Sequence, residues 1–362
     1  MFVLVAIGAV LLILLVLLDT FETIVLPRRI NRRFRLVSMF YRVTWFPWSS
    51  VARRIENRGK RETYLSLYGP LSLLLLLSIW AYALILGFGA LYWALGSTLI
   101  VENGHTSFGT DLYMSGTTLF TLGLGDVAPR TTATRIVTVA ETGLGFAFLG
   151  LVIGYLPVIY LAFSRREVNI SLLDARAGSP PSVCTLFLRF GQFGQIEGSE
   201  ANRLLYDWER WSADLMESHL SYPVLAYFRS QHQNQSWLAA LTIVLDASAL
   251  MIAGMDRIAA HQAHPTFAIA RRASVMLCQV LDTPPRPPER NRLPPAEFTT
   301  LYESLRASGI PLAEKQAVEQ RLTDLRGLYE PFLNALSEML LLPLPPWIDP
   351  RSAKGWETST LA

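Results

Sequence analysis

The chain has 362 residues, of which 51% are hydrophobic and 17% charged, with a formal net charge of +3 at pH 7. A mean hydropathy of +0.31 is high for a soluble protein and points to a membrane class. Two cysteines, Cys184 and Cys278, exclude a disulfide framework and form no metal-binding spacing.

The apolar excess is concentrated in Phe2 to Leu18, Gly69 to Leu95 and Ile136 to Phe163. Each approaches the roughly 20 residues needed to cross a ~30 Å hydrocarbon core. The first stretch has no basic residue before it and no small-residue cleavage pattern, so residues 1–26 read as a retained anchor. Asp19 and Glu22 at its end are expected to pair with Arg28, Arg29 or the interface.

Residues 27–66 carry Arg28, Arg29, Arg32, Arg33, Arg35, Arg42, Arg53, Arg54, Arg58, Lys60 and Arg61. The positive-inside rule places this loop in the cytoplasm and the N-terminus outside. Anionic lipid is its expected partner, not nucleic acid. Trp45, Phe46 and Trp48 suit a segment lying at headgroup level. Spans two and three then bracket an outward loop, Gly96 to Arg130, bearing Glu102, Asp111 and Asp126.

Within that loop, Thr110 to Phe120 has no proline and only one charge, Asp111, and is long enough for two to three helical turns. It reads as a re-entrant helix, a structure tolerated at membrane depth only where it is buried or lines a water-filled cavity. Thr117-Thr118-Leu119-Phe120-Thr121-Leu122-Gly123-Leu124-Gly125-Asp126 completes it. A dehydrated cation needs a cage of oxygens, and backbone carbonyls supply one without charge. Gly123 and Gly125 permit backbone angles closed to other residues, so successive carbonyls can face one line while Leu122 and Leu124 point away. Thr121 adds a hydroxyl at the inner end, and Asp126 focuses cations at the outer end. An ordinary turn outside the membrane is the bland alternative.

With these residues in place, Gly69 to Tyr160 resembles the outer helix, pore loop and inner helix of the potassium channel superfamily in its simple bacterial form. The filter of that family usually reads Thr-Val-Gly-Tyr-Gly-Asp after a further Thr. Here Leu122, Leu124 and Phe120 stand at the Val, Tyr and preceding Thr positions, and leucine at the Tyr position is similar to some two-pore-domain channels. The resemblance implies K+ held by the carbonyls of Thr121, Leu122, Gly123 and Leu124, with Thr117 and Thr118 supporting. It also implies a Tyr113 to Asp126 contact in place of the missing tyrosine, and a gating hinge at Gly145.

The third span contains Gly143, Gly145, Gly150, Gly154 and Pro157, the last expected to kink or end the helix at the cytoplasmic mouth. Glu141 lies in its outer half. An unpaired charge there costs roughly 2.5 to 3.5 kcal/mol on insertion scales, so Glu141 should face protein or water; a hydrogen bond to the pore helix is expected, contact with the ion the alternative.

From Ser164 the composition is that of a soluble helical domain, with apolar stripes at Leu204, Leu205, Trp208, Trp211 and Leu215 and at Leu322, Leu325, Leu328, Phe332 and Leu336. Residues 164–283 form one helical domain, 284–295 a proline-rich linker, 296–345 a second helical segment and 346–362 a flexible tail. Trp237 to Gly254 could pass for a fourth span, but Asp246 at its centre argues for a buried bundle helix. No glycine-rich nucleotide motif is present, as Gly191-Gln192-Phe193-Gly194 is too isolated; His261, His264 and Asp256 read as surface residues.

The expected fold is an all-α polytopic membrane protein. It has three transmembrane helices, a re-entrant pore helix and filter within a 67–163 pore module, and a cytoplasmic helical domain. One filter per chain supplies part of a ring, so the expected assembly is a homotetramer in the cell membrane, passing K+ passively with no cofactor. A nonselective cation channel is the alternative within this class. A non-conducting, membrane-anchored sensor or scaffold acting through the helical half is the alternative outside it. Any regulatory ligand or protein on that half is left unnamed. No catalytic constellation suggests an enzyme.

Overall fold

The computed structural model describes residues 1–26, 36–101, 106–192, 199–230, 235–258 and 260–349. Arg28, Arg29, Arg32, Arg33, Arg35, Glu102, Phe193, Gly194 and the tail from 350 onward lie outside the described residues. The chain divides into two compact units, Met1–Glu56 with Leu67–Tyr160, and Asn57–Ser66 with Leu161–Ala362.

In the first unit, helix α1 (Phe2–Thr20) runs on through a π-helical turn, Phe21–Val25. It is apolar all round, yet buries little beyond Ala9, Ile13, Val16, Asp19 and Thr20. That face lies on helix α3 (Arg58–Ala94), where a Cβ at Gly87 would stand 2.7 Å from Ile13. Phe2 meets Trp93 edge-on with ring centroids 5.6 Å apart. Asp19 Oδ2 accepts the Trp80 indole N–H at 2.9 Å, which ties the acid to the neighbouring helix; Arg28 and Arg29, its expected partners, lie outside the described residues. Burial in an apolar span demands such a donor.

Helix α2 (Leu36–Arg53) carries Trp45, Phe46 and Trp48. Trp45 is buried and Trp48 half-buried, and both rings pack on Tyr68, at 4.8 and 5.7 Å between centroids; Phe46 alone of the three is exposed. The Tyr68 hydroxyl fixes this corner against Thr44 Oγ1 at 2.8 Å and the Tyr41 carbonyl at 3.3 Å.

After α3 come strand β1 (Leu99–Val101), helix α4 (Phe108–Leu119), strand β2 (Val127–Pro129) and helix α5 (Thr132–Ala177). The antiparallel β1–β2 ladder, pairing Ile100 with Ala128, is a small element the helical reading lacked. Pro157 does not end α5, which continues twenty residues further to Ala177. A proline inside a helix removes one backbone donor, and the intact turns on either side carry the helix across that gap.

The second unit holds α6 (Val183–Gln192), α7 (Ser199–Ser221), a 3₁₀ turn at Pro223–Tyr227, α8 (Trp237–Gly254), α9 (Ala263–Val280), α10 (Pro295–Ala307), α11 (Lys315–Gly327) and α12 (Glu330–Leu340). Among the described residues, four helices are long and apolar enough to cross a membrane: Phe2–Val25, Arg58–Ala94, Thr132–Ala177 and Trp237–Gly254. The fourth, α8, is buried along its whole length except at Ile252, as the centre of this bundle.

Asp246 in α8 is fully buried, accepting from the Tyr329 hydroxyl at 2.6 Å and from Arg292. Arg326 binds Glu330 at 3.0 Å and the Asn291 side chain at 2.7 Å. The proline-rich stretch is therefore a strap of one unit rather than a link between two, because the buried carboxylate of Asp246 takes its guanidinium from that strap. Cys184 and Cys278 are buried free thiols. His261, His264 and Asp256 are exposed, and among the described residues no cluster of three or more ligating side chains could hold a metal ion.

Candidate ion-conduction site

The segment between α3 and α5 is built from helix ends. α3 stops in a Schellman turn: Gly96 N–H reaches the Trp93 carbonyl at 2.9 Å and Ser97 N–H the Tyr92 carbonyl at 3.1 Å, with Gly96 and Ser97 both at positive φ. That turn presents Ser97, whose hydroxyl donates to Asp111 Oδ2 at 2.7 Å. α4 begins on a reciprocal cap, in which Ser107 Oγ and Thr110 Oγ1 accept each other's backbone N–H at 3.3 Å.

α4 ends in the same way. Thr121 N–H bonds the Thr118 carbonyl at 3.0 Å and Leu122 N–H the Thr117 carbonyl at 2.8 Å, with Thr121 itself left-handed at φ 56°. A β-branched residue in this region is strained. Gly123 and Gly125 follow at φ 57° and 84°, so positive φ recurs at every second residue from 121 to 125. Positive φ at alternate residues allows successive peptide planes to turn their carbonyls toward one side, which a uniform strand cannot do. β2 then anchors the exit: its ladder to β1 is extended by Arg130 N–H to the Thr98 carbonyl at 3.0 Å. Residues 120–126 are exposed in the single chain, Leu122 at 61% and Leu124 at 64%.

At the Asp126 end of the strip the Tyr113 hydroxyl donates to Asp126 Oδ2 at 2.8 Å. Behind the strip, the back of α4 meets α5 in register. Ser115 Oγ donates to Glu141 Oε1 at 2.5 Å, and one turn on Gly145 abuts the Leu119 backbone so closely that a Cβ would strike its carbonyl. Glu141 is fully buried, and Tyr92 of α3, which sequence reasoning did not single out, supplies its second donor at 2.8 Å while bonding Thr138 at 3.0 Å. Thr118 is buried and Thr117 half-buried on α4, where Thr117 Oγ1 donates back to the Met114 carbonyl at 3.0 Å. Asp111 is likewise fully buried, with Oδ1 lacking a hydrogen-bond partner.

The opposite face of α5 is bare. Val139, Phe146, Ile153 and Tyr160 recur every seventh residue, 63–73% exposed. Seven residues are nearly two helical turns, so they form one stripe. Gly143, Gly150 and Gly154 have open space where a Cβ would stand.

Comparison with known proteins agrees with a membrane protein. The chain is 24% identical over 267 residues to an uncharacterized membrane protein of Bacillus subtilis (strain 168), YdjJ, covering 72% of this chain and 74% of that one. No solved structure matches it. Residues 74–160, which hold α4, the strip 120–126 and the Glu141 brace, match the family model described as an ion channel.

Proposed function

We propose that the protein is a passive potassium-selective channel whose pore is a homotetramer lined by residues 121–126. The observation that carries this reading is the alternating backbone of Thr121, Gly123 and Gly125, stretched between a capped helix and a pinned strand. A strip of one-sided carbonyls replaces the water shell of a monovalent cation only when copies close around it. The exposed strip and the bare α5 stripe are the surfaces a fourfold ring would cover. Three spans, α1, α3 and α5, with the N-terminus outside, put Asp126 at the outer mouth. The basic residues between α1 and α3 then meet anionic lipid on the inner side.

Purified protein in liposomes should pass potassium in preference to sodium, and Gly123→Asp should be silent, since it places a charged side chain on a left-handed residue of the strip. A reversal potential indifferent to the potassium gradient would overturn selectivity and favour the nonselective channel. That second reading draws on Leu124, which has no hydroxyl with which to brace the strip. Silence of the unmodified protein under every stimulus would favour the sensor or scaffold.

A further inference from the structure

Within the second unit, the stretch Tyr222–Ser230 between α7 and α8 is held by two buried arginines that point in opposite directions along it. Arg166, near the end of α5 and 2% exposed, donates to the Leu225 carbonyl at 2.8 Å and to the Phe228 carbonyl at 2.7 Å. Its guanidinium also lies 5.1 Å from the centre of the Phe163 ring, which packs on Phe228 at 5.8 Å. The Ala226 carbonyl between these two is taken by Trp237 Nε1 of α8 at 3.2 Å.

His219 closes the arrangement from α7. Its Nδ1 is 2.8 Å from the Leu215 carbonyl, which requires a proton there and leaves Nε2 as acceptor, 3.3 Å from Arg166. Arg229 reaches the other way. It donates to Glu62 in the first turns of α3 at 3.3 Å, to the Leu341 carbonyl at 3.2 Å and to the Leu340 carbonyl at the end of α12.

A guanidinium bonded to several backbone carbonyls is a stiff joint, because its fork is planar and each buried carbonyl it abandons is left without a donor. α3 and α5 are single uninterrupted helices, Arg58–Ala94 and Thr132–Ala177. We infer that Tyr222–Ser230 is the coupling element of the protein: Arg166 and Arg229 bind the starting turns of the outer pore helix and the final turns of the inner one to a single strip of backbone that Trp237 of α8 also holds. A shift of the bundle core then moves both helices together instead of being absorbed by a loose joint. The inference rests on the reading of α3 and α5 as pore helices, and it gives the helical half the task of setting their positions.

The test is hydrogen exchange on the full chain in lipid nanodiscs, paired with single-channel recording. Arg229→Gln should speed exchange about tenfold not only in residues 58–66 and the end of α12 but also in residues 161–177, which Arg229 does not touch. Arg166→Lys, which keeps the charge and loses the fork, should do the same in the reverse direction, reaching 58–66. In recordings both variants should change open probability severalfold at unchanged reversal potential. Exchange changes confined to each arginine's own contacts would overturn the coupling, whether or not the protein conducts. A silent wild type with long-range exchange changes would overturn conduction and leave the coupling standing.

Discussion

Tyr92 of α3 donates its hydroxyl proton to Oε2 of Glu141 on α5, 2.8 Å away, while Ser115 of α4 donates to the other oxygen at 2.5 Å. One carboxyl group thus joins α3, α4 and α5, and both of these hydrogen bonds come from hydroxyls. Removing one donor strands half of a fully buried carboxyl, at a cost of about 1–3 kcal/mol. Tyr92→Phe and Ser115→Ala should therefore each lower the denaturation midpoint. The double variant should depart from additivity, because both hydroxyls answer to the same group. Strict additivity, or an unchanged midpoint in Tyr92→Phe, would remove Glu141 as the joint.

Thr121 makes the opposite case. As the left-handed residue that ends α4, it carries a steric penalty of roughly 1–2 kcal/mol that glycine avoids. Thr121→Gly should be neutral or stabilising to thermal unfolding, whereas Thr118→Gly, inside the same helix, should destabilise by about 1 kcal/mol. Potassium over sodium permeability should nonetheless fall in Thr121→Gly, since the hydroxyl at the inner end is gone. Equal destabilisation by the two changes would mean that the helix does not end on Thr121.

The glycines of α5 divide by what faces them. Gly145→Ala drives a methyl group into the Leu119 carbonyl and should destabilise by about 1–3 kcal/mol, with loss of flux because the end of the pore helix must move. Gly150→Ala meets open space and should gain up to ~1 kcal/mol from helix propensity. Flux measurements on both, with a stability readout, would separate a packing position from a hinge: a hinge at Gly145 predicts altered gating at unchanged stability.

Which of these relationships can be read without coordinates follows from their physics. Long apolar runs announce α1, α3 and α5 because a bilayer demands them, and Gly123 and Gly125 stand where positive φ demands glycine. Thr121 hides, since a left-handed β-branched residue contradicts its own propensity. Tyr92 and Glu141 are 49 residues apart, and nothing local in either span says that the two helices meet there. Asp246 is visible as a buried acid, but its partners are Arg292, inside a proline-rich stretch that composition alone describes as a linker, and Tyr329, beyond it. Pro157 misleads for the complementary reason: proline lowers helix propensity at one point, whereas the flanking turns of α5 determine whether the helix continues.

His219 gives the second unit a pH dependence of definite sign. Burial, reinforced by the neighbouring Arg166 charge, pushes its imidazole down from the ordinary 6.5 to about 3. The folded bundle therefore keeps His219 neutral while the unfolded chain takes up a proton below 6.5, so stability is fully present above that pH and drains away as pH falls toward 3. The slope is at most ~1.4 kcal/mol per pH unit. Asp246, pushed up to about 6 mainly by burial, works the other way over the lower part of that range, because there the folded state holds the extra proton. The wild-type curve alone mixes the two. Denaturant unfolding of wild type and His219→Gln at pH 7.5, 5.5 and 4.5 separates them: the variant should be the less stable protein at pH 7.5, and the gap should close steadily on acidification, since Asp246 is common to both. Parallel stability curves would mean that the imidazole is free to protonate in the folded bundle, and that the bond from Arg166 to His219 does not depend on a neutral ring.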